Sequence, residues 1–356
     1  MGCHHPLIIF GSQESIKPIM DALYQCLSHT LDSNPNTRKA AELELRKLEA
    51  HPGMLPSALQ LVSRNDVDLS VRQATAIYIK NRIRRAWDAK SAALAELKQS
   101  PIPEADYTPV REALLPTLVS CPPQLRVHIN ASLGAVVRHD FPERWPKLVD
   151  EVKDLLGSGD GSDVARVYAG LAALLEIFRA FKWRDEKNIM APLSESSLPI
   201  VLNIVRSILG SSNSSSPEAG SLIYLACKIY KTSISTKLTE YNQAEENIVP
   251  WGQTLLQIVQ KEVDASQLPS DEEEREKASW WKAKKWAYFN LNRLWVRYAY
   301  TTALTCSCPS LLASQHLIGL ILAGATDMET PTLSQTRTPR PLHLPKPSKR
   351  RLLLRF

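Results

Sequence analysis

The chain predicts an all-α protein, a HEAT/armadillo-like α-solenoid in which antiparallel helix pairs stack into a right-handed superhelix. Three observations carry this. Apolar residues recur at helical spacing from about residue 15 to 298, with no strand-like alternation; Val164, Val167, Leu171, Leu174, Leu175 and Phe178 form the clearest such stripe. First helices of successive pairs begin about 30 to 60 residues apart, bracketing the two-helix repeat period. The 356 residues include only 13 glycines, few for folds that spend glycine on turns and phosphate loops.

Each element follows from its pattern. A leading helix is predicted over about 14–30. The pairs expected after it are 37–51 with 54–64, 68–88 with 107–120, 123–139 with 144–156, 162–182 with 191–209, and 218–238 with 244–264, leaving an unpaired helix at 278–298. Ile129, Leu133, Val136 and Val137 mark one stripe; Leu222, Leu225, Ala226 and Ile229 another; Ala287, Leu291, Leu294, Trp295 and Tyr298 the last. Asn36-Thr37 and Asp68 are expected to cap the helices that follow them, and Arg72 lies one favourable turn after Asp68. Pro56, Pro109 and Pro146 fall near predicted helix starts, where a missing N–H costs little. Residues 157–161 and 210–216 are rich in Gly, Ser and Asn and break the pattern. A pair of this size cannot bury its apolar face alone; stacking buries a continuous core and makes a concave inner wall. Residues 1–13 are expected to be disordered. So are most of residues 299–356, a basic tail with five prolines between Pro331 and Pro347.

The charge does not suggest a nucleic-acid surface. The formal net charge is +6, but residues 299–356 hold seven Lys/Arg against two Asp/Glu, so the helical part is nearly neutral. Six unpatterned cysteines suit reduced thiols. No Lys or Arg precedes the short apolar run at the start, and no run is long enough to span a membrane. Gly2 and Cys3 begin a lipidation-like start, but Pro6 stands where that pattern wants Ser or Thr.

Nothing marks an active site, and the chain is read as a non-enzyme without cofactor or metal. P-loop, dinucleotide, zincin and nucleophile-elbow patterns are all missing. Cys3, His4 and His5 lack a fourth ligand, and Cys306 and Cys308 lack a second pair. His139, Asp140 and Glu143 sit among Phe141, Pro142, Trp145 and Pro146, which favours a turn locking one helix to the next over acid–base chemistry. Lys80, Arg82, Arg84, Arg85 and Lys90 are read chiefly as a solvent face that complements the helix dipole, the alternative being a surface that meets acidic groups on a protein partner. Lys349, Arg350 and Arg351 have the composition of a short nuclear-localisation cluster. Asp271, Glu272, Glu273 and Glu274 form an acidic loop, ordinarily a solvated one; on the inner wall of a solenoid it would attract a basic protein surface.

Three strings make the reading specific: LSVRQATAIYIKN at 69–81, RHDFPERW at 138–145 and SWWKAKKWAYFNLNRLWVRYA at 279–299. In order and separation they resemble the amino-terminal part of importin-β (karyopherin-β) family nuclear transport receptors of the importin-seven/eight subgroup. The resemblance covers about residues 15–298 and stops at 298–299; a shifted frame, a retained intron or a splice form would each produce such a stop, and the chain corresponds to roughly the first third of the family's longer solenoids.

The resemblance implies a function. Residues 14–120 would form the Ran-binding amino-terminal domain and 121–298 further HEAT-like repeats. Such receptors bind Ran-GTP, FG-repeat nucleoporins and protein cargo, here expected to be basic, and work in nucleus and cytoplasm and at the nuclear pore, without membrane insertion or direct nucleic-acid binding. By position in the repeat, Ran contacts are expected from second helices at Gln60, Arg64, Glu112, Asp150 and Asp154. The alternative is a HEAT-repeat scaffold for protein–protein interaction that does not bind Ran.

Overall fold

The structure is a computed structural model and describes residues 13–88, 100–157, 163–184, 188–263, 266 and 269–304. Among them there are thirteen helices and no strand. In order these are α1 (Gln13–His29), α2 (Pro35–Leu48), α3 (Met54–Ser63), α4 (Leu69–Ala86), α5 (Glu104–Ser120), α6 (Pro123–Asp140) and α7 (Leu148–Leu156). Then come α8 (Val164–Phe181), α9 (Met190–Gly210), α10 (Pro217–Ser233), α11 (Glu245–Gln260), the short α12 (Glu272–Lys277) and α13 (Ser279–Leu304).

Apart from the short α12, which falls where a loop was expected, the helices are those expected, but their pairing is shifted by one. The pairs in contact are α1 with α2, α3 with α4, α5 with α6, α7 with α8, α9 with α10 and α11 with α13. The leading helix therefore has a partner, and so does the last: α13 packs on α11 within its pair and broadly on α10 of the pair before. It also continues six residues beyond the end read from the resemblance.

Two layers result. From the second pair onward the second helices α4, α6, α8, α10 and α13 stack on one another without a gap. The first helices pack closely from α1 through α3 to α5, and only thinly among α7, α9 and α11. Close stacking on one side and thin contact on the other is the packing of a curved helix-pair solenoid, with the second helices on the inside.

Side-chain caps hold four of the helix starts. Asn34, not Asn36, caps α2, its side-chain oxygen accepting from the Asn36 N–H at 2.9 Å, with Pro35 in the first turn. Asp68 precedes α4 but makes no side-chain cap bond. Asp163, Ser216 and Asp271 cap α8, α10 and α12.

The apolar stripes make one core. Ile129, Leu133, Val136, Val137, Leu171, Leu174 and Phe178 are fully buried, as are Leu222, Ala226, Ile229 and Ala287. Val164 and Trp295 depart from their expected stripes and are exposed. Trp87 and Trp145 are buried; Trp286 is half-buried. No helix among the described residues is long and apolar enough to cross a membrane. The thiols of Cys121 and Cys227 are buried, which pushes them up to about 11 and about 12.

Candidate protein-binding site

The 138–145 string is a structural junction. Asp140, fully buried at the end of α6, accepts from Arg111 Nη1 on α5 at 2.7 Å, and Arg144 lies 3.7 Å away. Its backbone carbonyl accepts from the N–H groups of Arg144 and Trp145. Phe141 meets Phe181 of α8 edge-on at 5.6 Å, while the Trp145 indole N–H donates to Glu151 of α7. The string thus ties α5, α6, α7 and α8 together. His139 is exposed and takes no part in these bonds. A buried carboxylate held by a guanidinium serves geometry, since removing one partner would leave an uncompensated charge.

The 69–81 string holds α4 against α3 inside the second pair, and its neighbours tie that pair to the third. Buried Arg72 donates to the Val62 carbonyl at the end of α3. Arg82, read from sequence as part of a solvent face, is instead 3% exposed and donates to the Pro101 carbonyl at 3.0 Å. Asp106 on α5 is also buried. It accepts from the Gly53 N–H at 2.6 Å and the Leu55 N–H at 3.4 Å, so it caps the start of α3 from the next repeat. Of the remaining basic run, Arg84 and Arg85 are exposed, Lys80 is half-buried, and Lys90 lies outside the described residues.

The 279–299 string seats α13. A side chain at Gly220 would come within 2.8 Å of the Ser279 hydroxyl and of Trp280, so a glycine there lets α13 start hard against α10. Ser279 Oγ donates to the Pro217 carbonyl at 2.6 Å, Trp280 Nε1 to Ser216 at 3.0 Å, and Asn290 Nδ2 to Cys227 at 2.8 Å. On the opposite side Trp281, Tyr288, Phe289 and Trp295 are exposed.

The residues expected to bind Ran sit on α3, α5 and α7, which the shifted pairing makes first helices. Gln60 is half-buried on α3. Arg64 follows α3, exposed, and its guanidinium pairs with Asp66. Glu112, Asp150 and Asp154 are exposed on α5 and α7, the last also accepting an Arg166 hydrogen bond at its carbonyl. Asp271, Glu272, Glu273 and Glu274 are not a loop: Asp271 caps α12 and the other three form its first turn, all exposed. Cys3, His4, His5, Cys306, Cys308 and the 349–351 cluster lie outside the described residues. Among those described, no three His, Cys, Asp or Glu side chains are grouped to hold a metal.

One feature escaped the sequence reading. Helices α4, α6, α8, α10 and α13 together carry sixteen Lys and Arg against three Asp and Glu. Helices α3, α5, α7, α9 and α11 carry three against nine. The stacked layer is cationic and the other anionic, and the net charge averages them away.

Comparison with known proteins fits this architecture. The Importin-beta N-terminal domain matches residues 41–120, from α2 to the end of α5. The chain is 32% identical over 268 residues to the "Importin beta-like SAD2 homolog" of Arabidopsis thaliana, covering 74% of this chain and 25% of that one. It is 27% identical over 292 residues to "Importin-8" of Danio rerio, covering 78% and 27%. It thus spans about a quarter of the length of the curated relatives it matches. The solved structure "The exportin Cse1 in its cargo-free, cytoplasmic state" superposes with a TM-score of 0.63 over 86% of this chain and 34% of that one; at 17% identity the likeness is one of fold. The chain belongs to the importin-β family.

Proposed function

We propose that the chain serves nuclear import: its amino-terminal repeats bind Ran-GTP, it carries protein cargo, and it engages FG-repeat nucleoporins while shuttling between nucleus and cytoplasm through the pore. The observation that carries this reading is the Importin-beta N-terminal domain match over residues 41–120. Binding would work by linkage, two ligands with opposed preferences for solenoid shape. Small rotations at each repeat interface sum to a change of pitch, which suits a solenoid to that task.

If Ran contacts fall on second helices, the observed pairing moves them from Gln60, Arg64, Glu112, Asp150 and Asp154 to α2 and α4, where Glu42 and Gln73 are exposed. The exposed carboxylates of α12 remain a candidate for a basic cargo segment or a basic GTPase face. The test is direct binding of the full chain to Ran loaded with a non-hydrolysable GTP analogue and with GDP. Preferential binding of the GTP form supports the proposal, and equal or no binding leaves a helical scaffold. Charge changes at Glu42 and Gln73 against Asp150 and Asp154 then decide which layer makes the contact.

A further inference from the structure

The cationic layer holds a shaped cleft. Its volume is ≈ 510 Å³, and α4, α6, α8 and α10 line it. Ala131, Ala135 and Ala172 make a floor of small side chains; Arg84, Arg138, Arg179 and Lys228 stand around it. A Cβ on Gly134 would lie 2.6 Å from the Glu176 carboxylate, so the bare backbone there makes room for the cleft's one acid. Glu176 also pairs with Arg179 at 2.5 Å.

The same face continues onto α13. Lys228 and Lys231 stand over the Trp286 ring at 5.7 and 5.0 Å, and Lys228 also lies 4.8 Å from the Tyr224 ring. Arg293 and Arg297 reach back to the Ser235 carbonyl.

We propose that this face, from the α4–α8 cleft to Lys231 and Arg293, binds an acidic polypeptide segment of a partner protein lying across the second helices. Charge complementarity selects the sign of the occupant. Burial, then the neighbouring charges of Lys182, Arg293, Lys228 and Arg179, lowers the Lys231 ammonium from its usual range. An incoming carboxylate would relieve that mutual repulsion. Neighbouring stacked helices lie about 8–10 Å apart, and a segment in the polyproline-II conformation, with three residues per turn and about 3.1 Å rise, brings every third side chain back to the same face about 9 Å further on. An acid at every third position can therefore meet one helix after another.

A polypeptide fits better than nucleic acid for two reasons. Glu176 inside the cleft would accept from a peptide N–H, a backbone donor that a sugar-phosphate chain does not offer. And the Trp286 ring already faces Lys228 and Lys231, with Tyr224 and Phe289 edge-on at 6.4 and 6.2 Å, which leaves it ill placed for stacking a base. The inference is independent of the GTPase reading and survives its failure.

The test is fluorescence anisotropy of the full chain with three labelled probes: a peptide with Asp or Glu at every third position, its Asn/Gln counterpart, and an oligouridine of similar length. The acidic peptide should bind at least about ten-fold tighter than the neutral one and weaken as salt rises. Lys228→Glu with Lys231→Glu should cost about ten-fold or more, whereas Arg46→Glu on α2 should leave binding unchanged. If the double reversal disturbs helicity, Lys228→Gln with Lys231→Gln replaces it, and a smaller loss in the same direction is expected. No binding of the acidic peptide, equal binding of the neutral one, insensitivity to the lysine changes, or tighter binding of oligouridine would each overturn the proposal.

Discussion

The two helix layers of this solenoid do different work. The second helices form a continuous stack, tied between α13 and α10 by the buried bond from Asn290 to the Cys227 carbonyl. The first helices meet less closely beyond α5 and show carboxylates to solvent at Glu112, Asp150 and Asp154. Stability is concentrated where helices stack, and the surface freest to change is the layer that stacks least. A chain with almost no net charge in its helical part can in this way present two faces of opposite sign.

The largest effect that could break this comparison is removal of α13. An unpaired helix at 278–298, as the sequence pattern alone has it, would make a chain ending near Asp264 the better behaved of the two. Since α13 covers α10 and buries Trp280, Ala283 and Ala287, a chain ending there should instead melt earlier and less cooperatively and bind a hydrophobic dye. Better behaviour of the shortened chain would mean that α13 does not belong to the stack.

Core truncation comes next. Leu171→Ala or Leu174→Ala, both in the stacked layer and at most 1% exposed, should cost about 2–5 kcal/mol in denaturant unfolding. Trp295→Ala, exposed on the far side of α13, should stay within about 0.5 kcal/mol. A large loss at Trp295 would show that its face is covered.

Asp106 tests a tie between repeats. Asp106→Ala leaves the Gly53 and Leu55 N–H groups without this partner and should cost about 1–3 kcal/mol. Burial raises the Asp106 carboxyl above its ordinary range against the opposing pull of those hydrogen bonds and Arg82. Asp106→Asn removes the charge and keeps one acceptor, so it should cost less than the alanine. The smallest effect belongs to the first-helix surface: Asp150→Lys with Asp154→Lys should shift the melting temperature little, since both side chains are exposed. A large destabilisation would show that α7 is packed more tightly than its thin contacts allow.

Much of the fold was legible because a helical stripe is local. Helix boundaries from α3 to α11 mostly lie within a few residues of those expected. The pairing was not legible, because five residues separate α3 from each neighbour and seven separate α7 from each, so loop length cannot choose a partner. The available clue was at α5 and α6, joined only by Cys121 and Pro122, too short for anything but a hairpin. The roles of Arg72, Arg82 and Asp106 were hidden for a related reason: their acceptors and donors lie ten to fifty-three residues away. The basic face was missed because net charge sums over both layers, and only the three-dimensional stack separates them.

Hydrogen exchange through α10 and α13 tests the central claim, that the second helices form one stack continuing through the last described helix. The account predicts that amides between residues 282 and 297 exchange slowly, in the same class as those of α10 and far more slowly than those of exposed α12. Exchange in α13 as fast as in α12 would contradict it, and would detach both the helix and the cationic face it completes from the solenoid.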